Sequence, residues 1–184
     1  MNSTRNLFGA VALTALTAGT ASAAVFATNP SGIWGDGGSI VTAGTTFSVG
    51  SKAVVIPSLG LFDENGDGMA FAESVGIYTT GATPTLLGSV TIKAGKDSVF
   101  HDGSRWESLT KPLELNANTT YLLAWTVRQN GDPINVIDDP SKVVIDPLLS
   151  LGQSGYSYTQ TGISGLNFPD LGQRSFGYYA FGGN

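Results

Sequence analysis

Short β-prone runs recur along this chain, each closed by glycine, proline, asparagine or aspartate, and nothing after residue 23 keeps a helical period. The runs fall at 45–49, 54–62, 74–79, 86–93, 105–109, 113–115, 119–127, 143–145, 156–161 and 175–181. The strongest is Thr119 to Val127, in which Tyr121, Leu123 and Trp125 share one face. Pro57 interrupts the run 54–62 and predicts either a sheet edge or a bulge there, because proline has no N–H for a ladder. A parallel α/β fold needs helical crossovers between its strands, and the sequence offers none. The pattern therefore predicts one all-β domain, an antiparallel sandwich or jelly-roll-like arrangement.

Residues 1–23 read separately, as a cleaved signal peptide. Arg5 supplies the positive charge, Leu7 to Leu16 the apolar run, and Ala21-Ser22-Ala23 the small residues a signal peptidase needs. That run is about half the ~20 residues that cross a bilayer as a helix. The domain is then 24–184, with no membrane span expected and a secreted or cell-surface location.

Composition removes most catalytic chemistry. Cysteine is absent and His101 is the single histidine among 184 residues, so no thiol nucleophile, disulfide framework, zinc finger or His-rich metal site can be built. Charged residues are 12%, about half the usual ~25%. The net charge of −5 argues against a phosphate-binding surface, so nucleic acid is not an expected partner.

One segment carries metal chemistry. Asp63-Glu64-Asn65-Gly66-Asp67-Gly68 matches the opening of a calcium loop, with oxygen-bearing side chains at alternate positions and a glycine for the turn. Calcium takes six to eight oxygens, and alternate side chains of a tight loop converge on one point. The expected ligands are Asp63, Asn65, Asp67, the carbonyl of Met69 and Glu73. Glu73 falls one position short of the usual closing acid. The competing reading is an ion-free hairpin loop of Asx-turns and left-handed glycines. In either case the expected role is structural, since so many protein ligands leave no room for substrate.

Other residues weigh against catalysis. His101 and Asp102 are adjacent and so rarely face each other, and no G-x-S-x-G serine is present for a histidine to activate. Glu73, Glu107 and Glu114 are the strand-borne acids available for glycoside hydrolysis, but Glu107 and Glu114 alternate with Trp106, Leu113 and Leu115, as on the solvent face of a half-buried strand. The aromatics suggest binding instead. Trp106 and Trp125 read as core, whereas Trp34, among glycines, is the candidate for stacking on a sugar ring. The uncharged stretch Ser175 to Phe181 either pairs inside the sandwich or offers an edge to another subunit.

Phe47-Ser48-Val49-Gly50, Leu59 to Asp63, Gly66-Asp67-Gly68, Val75-Gly76-Ile77-Tyr78, Leu86 to Ile92, Arg105-Trp106 and Thr119-Thr120-Tyr121 occur in that order. In this the stretch 47–125 resembles exported β-sandwich domains of unknown function found in environmental bacteria that carry the PEP-CTERM sorting system. The resemblance implies a secreted or surface-displayed sandwich without assigned catalysis. The sorting signal of such proteins, a Pro-Glu-Pro followed by an apolar helix and basic tail, is not found before Asn184, so release or a shorter relative is expected. The reading is thus a non-enzymatic extracellular structural protein, self-assembling and steadied by Ca2+; the alternative is a carbohydrate-binding module for extracellular polysaccharide.

Overall fold

A computed structural model describes residues 32–34, 41–101, 103–128, 134–137, 146–158, 165–169 and 178–179. The expected signal peptide and the run 143–145 lie outside the described residues. The strands are β1 (Gly32–Trp34), β2 (Val41–Val49), β3 (Val54–Phe62), β4 (Glu73–Thr79), β5 (Leu86–Ile92) and β6 (Val99–His101). They continue as β7 (Ser104–Leu115), β8 (Thr120–Val127), β9 (Ile134–Ile137), β10 (Leu149–Tyr158) and β11 (Tyr178–Tyr179). All pairings are antiparallel.

Five strands form one sheet in the order β10-β2-β8-β4-β5, and three form a second in the order β3-β7-β6. A small sheet, β1-β9-β11, shares no strand pairing with these two, and its β11 lies against β2 and β10. The main core is shared between the two larger sheets. Phe47, Val75, Ile77, Ile92, Leu123 and Trp125 come from the five-stranded sheet and meet Val54, Ile56, Leu59, Leu61, Leu109 and Leu115 of the three-stranded one. This is an all-β sandwich.

Strand β8 shows how alternation builds it. Tyr121, Leu123 and Trp125 point into the main core, while Leu122 and Ala124 point the other way and join Tyr78 under Leu166 and Phe168. A strand apolar at both parities needs cover on both faces, and β8 has it. Trp125 is 2% exposed, in the interior as its parity predicts.

Pro57 sits on an edge strand and at a break in register, satisfying both expectations for it. Ile56 pairs with Leu113 and Ser58 with Ser108, so two steps along β3 face five along β7. The surplus residues of β7 loop out at Thr110-Lys111-Pro112, all exposed. This bulge joins the two expected runs 105–109 and 113–115 into one strand and moves the inward parity of β3 from Val54 and Ile56 to Leu59 and Leu61. Trp34, set among glycines in the sequence, lies in β1.

Candidate functional site

The aspartate loop joins β3 to β4. Its first acid, Asp63, is fully enclosed, with 0% of its side chain exposed. A buried carboxylate needs a counter-charge and hydrogen bonds to all its lone pairs. Asp63 obtains the charge from Arg105 in β7, whose Nε donates to Oδ2 at 2.7 Å, and further donation from the Gly68 N–H at 3.2 Å to each oxygen. The tight turn places that N–H: Asn65, Gly66 and Gly68 all have positive φ (69°, 67° and 110°). Glycine is required at 68 on steric grounds as well, since a Cβ there would stand 2.8 Å from the Gly95 carbonyl carbon.

Arg105, 5% exposed, is the centre of this region. Its Nη1 donates to the carbonyls of Lys96 (3.3 Å) and Ser98 (3.2 Å), and its Nη2 to that of Gly66 (3.2 Å). The Phe100 ring lies 4.7 Å from the guanidinium carbon. One side chain thus ties together the 63–68 loop, the 95–98 turn and β6. Beside it, Met69 and Gly95 exchange two main-chain hydrogen bonds, N to O at 3.0 and 2.7 Å.

The five expected calcium ligands are therefore disposed as follows. Asp63 is engaged by Arg105; the Met69 carbonyl accepts from Gly95; Asn65 and Asp67 are exposed on the outer side of the turn. Glu73 opens β4, buried, where it accepts from Thr126 Oγ1 and faces Arg128 Nε at 3.4 Å, both on or next to β8. Placed this way, Asp63 and Glu73 are each paired with a different arginine. Among the described residues, no three acidic or histidine side chains gather as a metal would require. The residue that sequence reasoning passed over is Arg105. Its signal was an arginine set directly between Ser104 and the inward-facing Trp106.

Glu107 accepts from Ser98 Oγ at 2.8 Å and pairs with Lys93 at 3.1 Å. The Ser98 hydrogen bond, and then Lys93, hold its carboxyl below the usual carboxylate range. Glu114 is exposed on β7, and His101 is exposed at the end of β6. Asp102 and the side chain of Trp34 lie outside the described residues. Trp106 is interior, its indole N–H donating to the His101 carbonyl at 3.1 Å.

The second feature of note is an edge. β5 ends the five-stranded sheet, and its seven residues, Leu-Leu-Gly-Ser-Val-Thr-Ile, include no charge and no proline. Leu86 and Leu87 are 42% and 38% exposed. Between β5 and the β7 bulge lies a cleft of about 540 Å3, lined in part by Leu87, Ser89, Lys111, Leu113 and Glu114. No known family model, curated protein or solved structure matches the chain.

Proposed function

We propose that this chain is an exported, non-catalytic structural protein that associates with copies of itself through the β5 edge. The observation that carries the reading is that uncharged edge strand. Sandwich proteins that remain monomeric blunt such edges with lysine, proline or a bulge; β5 has neither of the two residues along its length, and its one break in register against β4, at Leu87, leaves Gly88 to Ile92 a regular edge. Two β5 strands related by a two-fold axis through Ser89 pair antiparallel, joining the two five-stranded sheets into a continuous one. The arrangement is isologous, so each copy supplies the same surface. Lys111 and Glu114 flank the cleft beside the edge with opposite charges, which an isologous pairing can use. Export is supported by the form of residues 1–23, and a scaffold role by the buried Asp63 and Glu73, both engaged in ion pairs.

The test is the mass of the protein in solution by light scattering, measured in calcium and in chelator. A dimer or larger assembly is expected in both, and Ser89→Lys should reduce it to the monomer by placing a like charge on each side of the axis. A monomeric parent protein would refute the reading and favour the carbohydrate-binding alternative, which a glycan array would then examine.

A further inference from the structure

We infer that the guanidinium of Arg105 is the resident cation of the aspartate loop, standing where the sequence pattern reserves a place for a divalent ion. The oxygens around it are those a hard cation takes: one carboxylate from Asp63 and the main-chain carbonyls of Gly66, Lys96 and Ser98. Their distances, 2.7 to 3.3 Å, are those of N–H···O bonds, whereas calcium holds its oxygens at about 2.3–2.6 Å. Arginine offers five N–H groups in a rigid plane and cannot be deprotonated, so it can serve two loops at once as a fixed charge.

Charge balance favours the guanidinium over an added ion. Among the described residues, Asp63 is the carboxylate that Arg105 pairs with, with 0% of its side chain exposed against 6% for Arg105. One buried negative charge is neutralised by one buried positive charge. A divalent ion added beside Arg105 would leave an enclosed excess of positive charge, which burial opposes strongly. Calcium could enter only by displacing the arginine from four hydrogen bonds and from the Phe100 ring. Asn65 and Asp67, the other two oxygen positions of the motif, are left facing solvent. The loop is thereby set by the chain itself, and its order does not depend on the calcium level of the medium. This inference stands apart from the self-association proposed above.

The test is thermal unfolding of the full protein in excess CaCl2 and in chelator, followed by two substitutions. The melting temperature is expected to be the same in both media. A site taking calcium at a hundredfold excess over its Kd would raise it by about 5–10 °C for a chain of this size. A rise of that kind, abolished by Asp67→Ala, would overturn the inference; a rise that survives both Asp67→Ala and Asn65→Ala comes from elsewhere and leaves the loop ion-free, as inferred. Arg105→Met is expected to lower the melting temperature steeply and Arg105→Lys less so, because lysine keeps the charge. Equal losses would mean that the side chain acts by packing, against the inference. Should neither variant fold, the calcium response of the parent protein decides the matter by itself.

Discussion

Gly60 offers a direct test of how tightly the three-stranded sheet is assembled. It pairs with Trp106 across β3 and β7, and the indole lies over its Cα. A Cβ at this position would stand 2.5 Å from Cε3 and 2.6 Å from Cδ2 of that ring, well inside the ~3.5–4.0 Å of a normal carbon contact. The ring is not free to slide, because its N–H is bonded to the His101 carbonyl at 3.1 Å. Gly60→Ala must therefore overpack the site, at about 1–3 kcal/mol, and loosen a hydrogen bond worth about 1 kcal/mol. Against this, alanine restricts the unfolded chain and recovers about 0.5–1 kcal/mol. The net expectation is a loss of about 2 kcal/mol, or a melting temperature about 4–8 °C lower at this chain length. The assay is a double-mutant cycle with Trp106→Leu, read by urea and thermal unfolding. In the leucine background the same glycine change should be neutral or stabilising. Loss of equal size in both backgrounds, or no loss in either, would refute the steric account.

Two pH predictions follow from the side chains described above. Burial holds the Tyr78 phenol above its ordinary pKa of 10, with its hydroxyl donating to the Leu166 carbonyl at 3.1 Å. A raised acid favours the folded state below pH 10 and loses that contribution as pH rises through and beyond it. Tyr78→Phe should therefore be less stable by about 1 kcal/mol at neutral pH, yet show a shallower fall of stability above pH 10 in denaturant titrations. For Glu107 the sign is opposite. Its carboxyl is depressed by Ser98 and Lys93, so its contribution is present above the ordinary carboxylate pKa, near 4.3, and disappears as pH falls through the lower folded value. Glu107→Gln should flatten the acid limb of the stability profile below about pH 5, and an unchanged limb would remove Glu107 from its causes.

Most of the strand pattern was legible because alternation reports burial directly. The bounds of β3 were read as they are, and those of β4, β5 and β8 to within one residue, since each is a β-prone run bounded by turn residues. The misreadings have identifiable causes. β10 was placed at 156–161 and runs Leu149–Tyr158, because Gly152 and Gly155 thin out its apolar signal; its register comes from β2, where Gly155 meets Gly44. β6 was missed altogether. It has three exposed residues, no buried parity, and owes its existence to pairing with β7 through the turn at Gly103, whose φ is 75°. β7 was read as two strands because its bulge places Thr110, Lys111 and Pro112 in solvent in the middle of one.

The aspartate loop was legible as a loop between strands, but its pairing with Arg105 was not, and the reason is distance along the chain. A local motif records two of the acceptors, Asp63 and the Gly66 carbonyl, since these are close in sequence, but not the carbonyls of Lys96 and Ser98. The donor has no such constraint. Arg105 lies 42 residues from Asp63 and reaches it only because β3 and β7 pair, with Leu61 opposite Arg105 itself. The same holds for the β5 edge. Leu86–Ile92 reads as an ordinary half-buried strand, and becomes an edge only because β4 takes β8 on its other side. The reach of Arg105 to Asp63 and the edge position of β5 are thus both consequences of strand order, and a substitution that altered register in the β3–β7 pair would part Arg105 from Asp63 while leaving every residue of the motif in place.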